Sequence, residues 1–366
     1  MGFWTWLFLI TAVIALAAAA ARGEVRRAIR AYRVPLDYAL RLALPTDDGG
    51  TIELRRLPGN GRGTPILLVH GVAANHRNVD FHPDNSLARH LSAEGRDVWL
   101  LTLRSGRRGR SRAQTRQVNF DAMVRHDLPK GIQGVLDQTG AASVDYVGFS
   151  MGGMLLYAAL GRTVPAPSVR KAVIIGSPGQ IQSPLFPGLV RYLRIPWLPT
   201  LYLDAGSSLA AGIAEWVRTP LHHMFYNPDM AETGWTRTAL VDVIVDVPGP
   251  LSADFVRWAT GDGQIRLRDG SEALPGLKPL RTPARFFAGA GDLVAPPAAV
   301  QMAFDAWAAD HEDADKDLHI LGSAQGAAGD YRHGDLAVGH ALKRDLYTPI
   351  AEFLREGLQD PRPPDA

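Results

Sequence analysis

Ser150 lies in the pentapeptide Gly148-Phe149-Ser150-Met151-Gly152, a G-x-S-x-G pattern. An apolar run, Val144-Asp145-Tyr146-Val147, precedes it, and a helix-forming stretch, residues 153–160, follows it. In that setting the serine occupies a tight, strained turn from strand to helix. Its hydroxyl is lifted clear of the sheet, and helix N-terminal amides face developing negative charge. The outer glycines leave room where strand and helix pack closely. A serine hydroxyl becomes an effective nucleophile only when a base takes its proton. For a serine on such a turn, the acid and then the base follow along the chain, each on a loop after a strand. Asp292 fits the acid, in Ala290-Gly291-Asp292-Leu293-Val294-Ala295-Pro296, just after the apolar run 285–288. His333 fits the base, in Tyr331-Arg332-His333-Gly334-Asp335, on a loop before the last helix. His340 is the other histidine after the last strand. It sits nearer that helix, which suits a base less well than a loop position beside a glycine. The chemistry would be attack of the Ser150 hydroxyl on an acyl carbonyl.

Such attack creates an oxyanion, which needs two backbone N–H donors. One is expected from Met151, the residue after the nucleophile. The other is expected from Val72, in the loop His70-Gly71-Val72-Ala73-Ala74-Asn75 that follows the apolar run 66–69. His70 reads as a hydrogen-bonding support for that loop. His222 and His223 are adjacent, which is poor spacing for two ligands on one helix face, so no metal site and no cofactor are expected. The chain has no cysteine, which excludes disulfides, thiolate-bound zinc and a thiol nucleophile.

The elements that must hold these residues are short apolar runs alternating with helical periods. Residues 66–69, 98–102, 144–147, 172–175, 285–288 and 318–321 read as strands covered on both faces. Helical patterns fill residues 86–94, 120–139, where Pro129 either kinks or restarts the helix, and 343–356. This alternation implies an α/β fold with a doubly wound, mostly parallel sheet over residues 45–358. Residues 178–282 break the rhythm and are too long for a simple crossover. They are rich in aromatics, among them Trp197, Trp216, Trp235 and Trp258, and read as an inserted, mainly helical cap over the strand ends. The tail 359–366 reads as frayed.

Outside that domain, residues 3–21 carry no charge and span about 28 Å as a helix, close to a bilayer core. Trp4 and Trp6 stand at one end, and Arg22, Arg26, Arg27, Arg30 and Arg33 follow at the other. The reading is an N-terminal transmembrane anchor over residues 1–21, with the catalytic domain cytoplasmic by the positive-inside rule. A cleaved signal peptide with export is the alternative. Residues 22–44 read as a basic amphipathic connector that either lies on a membrane surface or packs on the domain. The net charge of +2 gives no reason to expect a nucleic-acid partner. Arg104, Arg107, Arg108, Arg110, Arg112 and Arg116 crowd one loop, read either as a site for anionic headgroups or an acidic substrate or as a solvated surface.

From about Thr46 to Leu358 the chain resembles the acid lipase family, the gastric and lysosomal acid lipases and their relatives. The matching segments keep their order: Thr46-Asp47-Asp48-Gly49, His70-Gly71-Val72, Asn85-Ser86-Leu87-Ala88 and Gly95-Arg96-Asp97-Val98-Trp99-Leu100. Then come Phe120-Asp121-Ala122-Met123, Asp127-Leu128-Pro129, Tyr146-Val147-Gly148, Phe255-Val256-Arg257-Trp258 and His333-Gly334-Asp335. The resemblance implies an α/β-hydrolase fold and hydrolysis of lipid esters under a lid that shields an apolar acyl pocket. By position it implies Ser150, Asp292 and His333 as the triad and Val72 and Met151 as the oxyanion hole. Phe149 and Met151 depart from the family's usual G-H-S-Q-G, though a backbone donor at 151 is indifferent to its side chain. The function expected is a carboxylic-ester hydrolase, membrane-anchored, acting on apolar or lipid esters. The alternatives are acyl transfer or thioester hydrolysis on the same residues, or a non-catalytic membrane-tethered binding protein.

Overall fold

The structure is a computed structural model and describes residues 3–59, 61–181, 200–214, 225–232 and 234–355. Trp197, Trp216, His222, His223 and the tail 359–366 lie outside the described residues. Eight strands form one sheet: β1 (Leu40–Pro45), β2 (Thr51–Arg56), β3 (Arg62–Val69), β4 (Arg96–Thr102), β5 (Val144–Phe149), β6 (Val169–Ile175), β7 (Ala284–Gly289) and β8 (Lys316–Leu321). Their order is β1-β2-β4-β3-β5-β6-β7-β8. β1 and β2, and β2 and β4, pair antiparallel, and every other pairing is parallel.

The helices used below are α1 (Phe3–Tyr32), α2 (Leu87–Ala93), α3 (Leu128–Thr139), α4 (Met151–Ala159), α5 (Leu203–Ala211), α6 (Trp235–Asp242), α7 (Gly249–Thr260), α8 (Pro297–Ala306), α9 (Asp335–Val338) and α10 (Thr348–Arg355). Side chains alternate across the sheet with the period of two that a strand imposes. Leu67, Val69, Leu101, Tyr146, Ile174 and Phe286 belong to one apolar cluster with residues of α3, α4 and α8. Ile66, Leu68, Leu100, Val147, Val173 and Phe287 belong to another with residues of α2 and α10. Pro129 falls in the first turn of α3, where its missing N–H costs nothing, and a single π-turn, Met123–Asp127, precedes it. The backbone stays helical from Phe120 to Thr139, so the helix is bulged there and not broken.

β3 and β5 are central in the sheet, and β8 ends it. β5 is flanked by β3 and β6, and β7 and β8 follow on that side. Because β3, β5, β7 and β8 all run parallel, the loops leaving their C-terminal ends emerge at one edge of the sheet. Between β6 and β7 the chain forms α5, α6 and α7. In this segment Trp258 is buried and its ring meets Phe120 edge-on at 4.9 Å between centroids, while Trp235 meets Phe81 at 6.0 Å. These two aromatics therefore knit the segment to the rest of the protein.

The arginine-rich loop is also a packing device. Arg104 is buried, with Nε 2.7 Å from Asp127 Oδ1 and Nη1 2.6 Å from Asp48 Oδ2. Arg107 pairs with Glu53. Arg108 pairs with Asp204 at 3.0 Å and donates to the carbonyls of Val241 and Ile244. Arg110 donates to the carbonyl of Asp246 at 3.1 Å. Four of the six arginines are thus engaged within the protein, two of them tying the β4 loop to the segment before α7. Arg112 and Arg116 are exposed.

The expectation of a membrane-spanning helix at residues 1–21 is not supported. Among the described residues, no helix is long and apolar enough to cross a membrane. α1 instead runs on through the basic stretch to Tyr32. It packs Ala28, Ile29 and Tyr32 against Ala211, Leu240 and Val241. Arg33 pairs with Asp242 at 3.0 Å. The cytoplasmic placement loses its premise with the anchor. The stretch read as a connector also contains the start of β1, whose alternating half-buried pattern marks an edge strand.

Candidate active site

Ser150 sits between β5 and α4 with φ 52° and ψ −118°, a left-handed backbone that a residue with a side chain adopts only under strain. The surroundings hold it there. Its N–H donates to the carbonyl of Ile175 at 2.8 Å, and its own carbonyl accepts from Gly153 and Met154 as α4 begins. The flanking glycines are sterically required. A Cβ on Gly148 would lie 2.6 Å from Gly153 N, and one on Gly152 would lie 2.4 Å from the carbonyl oxygen of Val69.

Asp292 and His333 reach the same edge from β7 and β8. The Gly291 N–H donates to the Tyr331 carbonyl at 3.0 Å, and the Ala290 N–H to the Leu321 carbonyl at 2.9 Å, so the two loops are laced together. One carboxylate oxygen of Asp292, Oδ1, accepts from the amides of Val294 (2.7 Å) and Ala295 (2.9 Å). The other, Oδ2, lies 2.7 Å from His333 Nδ1. His333 Nε2 lies 3.0 Å from Ser150 Oγ. All three residues are buried. Burial alone would raise the Asp292 carboxyl. The His333 charge and hydrogen bond, with the two amides, outweigh it and leave that carboxyl below its ordinary range. The contacts fix the roles of the atoms. Oδ1 is taken by amides, so Oδ2 is left to accept from Nδ1–H, and Nε2 is left to accept from the serine hydroxyl.

The loop after β3 passes close to the serine: a Cβ on Gly71 would lie 3.0 Å from Ser150 Cβ. His70, fully buried, accepts from the Leu103 N–H at Nε2 (3.1 Å) and contacts the Gly71 carbonyl at Nδ1 (2.8 Å). Burial pushes its pKa down to about 4, so it stays neutral and serves as a fixed strut. The Asn78 side chain accepts from the Gly71 N–H at 3.0 Å. Ala73, with φ 55°, completes the turn, and its carbonyl accepts from Val245 N–H at 2.9 Å. Val72, the expected donor, is part-exposed in that turn. Met151 is the first residue of α4, where a helix leaves its N–H groups without intrahelical acceptors. Phe149 replaces a polar residue of the family pattern, and its ring lies 5.4 Å from that of His333, walling the imidazole on one side.

His340 is directed elsewhere: its N–H and its Nδ1 both meet the carbonyl of Met230, at 2.7 and 2.8 Å. Two residues that shape the site were not expected to. One is Asn78, which has no motif around it. The other is Asp335, buried two residues after His333, for which the segment His333-Gly334-Asp335 was the available signal.

Residues 64–314 match the family model described as alpha/beta hydrolase fold. Over 122 residues the chain is 34% identical to gastric triacylglycerol lipase of Homo sapiens, covering 29% of this chain and 31% of that protein. Over 130 residues it is 32% identical to lipase member K of Homo sapiens, covering 31% and 32%. The matched stretches thus span about a third of the length of these relatives. Among solved structures, a serine hydrolase from the bacterium Cycloclasticus zankles is similar with TM-score 0.55 at 16% identity, covering 88% of this chain and 99% of that one. A thermophilic esterase from Thermogutta terrifontis gives TM-score 0.53 at 16% identity, covering 87% and 98%. At that identity the likeness speaks for the fold.

Proposed function

Because this chain belongs to the alpha/beta hydrolase fold family and resembles the acid lipases, we propose that it is a carboxylic-ester hydrolase acting on apolar or lipid esters. The observation that carries this reading is the continuous relay from Asp292 Oδ2 through the imidazole of His333 to Ser150 Oγ, at 2.7 and 3.0 Å. Ser150 attacks the ester carbonyl while His333 Nε2 takes the hydroxyl proton. The C–O bond to the alcohol then breaks, and the imidazolium returns that proton to the leaving oxygen. Asp292 holds the ring in the needed tautomer and stabilises its charged form. The amides of Val72 and Met151 hold the oxyanion. Water then repeats the attack on the acyl-enzyme, freeing the acid and Ser150.

The catalytic domain runs from residue 45 to 358, with residues 178–282 as its cap. Apolar substrates are favoured by what surrounds the relay. Leu293, next to the acid, and Phe225, whose carbonyl meets the base loop, are both apolar side chains exposed to solvent. Exposed apolar residues at the rim of a buried polar centre suit an acyl chain better than a charged group.

The test is turnover of p-nitrophenyl esters of increasing acyl length, with and without an added alcohol. We expect hydrolysis, with a burst of nitrophenol when deacylation is the slower step. Acyl transfer to the added alcohol as the main product would shift the assignment to a transferase. No turnover at any chain length by folded protein would overturn the reading.

A further inference from the structure

The loop that carries His333 is fastened to the segment between β6 and β7 at several points. Gly334 N–H donates to the Phe225 carbonyl at 2.6 Å. Arg332 Nη1 donates to the Tyr226 carbonyl at 3.2 Å. His340 meets the Met230 carbonyl through both its N–H and its ring. At the centre stands Asp335, with no exposed surface. Its carboxylate accepts from the Asn227 N–H at 2.9 and 3.0 Å to its two oxygens, and from the Arg332 N–H at 2.8 Å. One side chain therefore bonds the residue before His333 on one side and the strap Phe225–Met230 on the other. Asn227 caps the short turn Pro228–Met230, which gives the strap a fixed shape at that point. A buried carboxylate has no water to replace either donor, so loss of one partner leaves an unsatisfied group.

We propose that Asp335 is a positioning residue that couples the strap to the base: His333 stands in line with Asp292 and Ser150 only while the strap Phe225–Met230 is docked on the Asp335 carboxylate. The inference rests on the proposed roles of Ser150, Asp292 and His333. Its chemistry is simple. The imidazole needs its Nε2 held within hydrogen-bond reach of the serine, and a displacement of about 1 Å lowers turnover steeply. The strap carries Phe225 at its other end, so substrate contact at the rim and placement of the base share one tether. The charged groups around the tether are Arg332, whose charge favours the ionised carboxylate, and Asp292, whose charge opposes it. Burial dominates and raises the Asp335 pKa to about 7. Ionisation of this group therefore costs stability as pH rises from the unfolded value toward about 7.

The bond can be cut from either side. Asp335→Ala removes both carboxylate acceptors, including the oxygen that serves Asn227 and Arg332 together. Asn227→Pro removes the strap's N–H and leaves the carboxylate intact. Active sites are first counted with a fluorophosphonate probe, so that misfolded protein drops out of kcat. We expect each variant to lose about tenfold in kcat per labelled site on a short p-nitrophenyl ester, with KM changed less than twofold. The double variant should be no slower than the slower single one, because both changes remove one bond. Unchanged kcat per site in both singles, or losses that multiply in the double variant, would overturn the coupling. Failure of the probe to label the parent protein at Ser150 would instead overturn the underlying site reading, and that experiment comes first.

Discussion

Replacing Ser150 by Ala should lower kcat on a p-nitrophenyl ester by about a millionfold and abolish labelling by a fluorophosphonate. His333 Nε2 lies 3.0 Å from the Ser150 hydroxyl, which stands at the tip of a turn where α4 begins. In the proposed mechanism, deleting it removes the atom that would bond to the acyl carbon, while the proposed oxyanion donors and the fold stay in place. What survives should be a small residue of catalysis from binding and oxyanion stabilisation. The loss should appear in kcat, with a thermal midpoint no lower than the parent's. Retained labelling in this variant would sink the assignment of the nucleophile.

Asp292→Asn should cost about ten-thousandfold in kcat, although it changes hardly any volume. The hydrogen bonds specify why. Oδ1 of Asp292 accepts from the amides of Val294 and Ala295, so an asparagine must keep its carbonyl oxygen there. Its N–H2 then occupies the place of Oδ2 and points at His333 Nδ1. The ring can meet that donor only with Nδ1 unprotonated, which moves the proton to Nε2. Nε2–H faces the serine hydroxyl and has no lone pair to accept its proton. The imidazole is thus trapped in the wrong tautomer. Steady-state kinetics at several pH values, with KM expected near the parent value, would show this. Activity within tenfold of the parent would remove Asp292 from the relay.

The elements that carry these groups were legible for a plain reason. Strands covered on both faces read as mostly apolar runs, and all six runs read this way lie in strands of the sheet, although the last, in edge strand β8, is only half-buried. Ser150 stood out between two glycines just past such a run, Asp292 beside Gly291 just past another, and His333 beside Gly334 on the loop after the last, where parallel topology brings loop ends together. What escaped was whatever depends on partners distant in sequence. Arg104, Arg108 and Arg110 look like surface charge in a linear reading. Their partners Asp48, Asp127, Asp204, Val241, Ile244 and Asp246 come from elsewhere in the chain. β1 alternates half-buried with exposed residues and β2 half-buried with buried ones, a weaker signal than an apolar run, and β1 begins in a stretch dominated by arginine. Asp335 carried no sign of its tether, because the Asn227 amide lies 108 positions away. The uncharged N-terminal run suggested a bilayer by length, yet its helix continues past the arginines and docks on α5 and α6.

The backbone angle at Ser150 has a consequence for durability. With φ at 52°, the position suits glycine, and a Cβ there costs about 1–3 kcal/mol. Ser150→Gly should therefore raise the melting temperature by a few degrees while leaving the protein inert, a pair of outcomes readable in one melt and one assay. Reactivity and ruggedness pull against each other at a single α-carbon, so directed selection for heat resistance alone would tend to discard the hydroxyl.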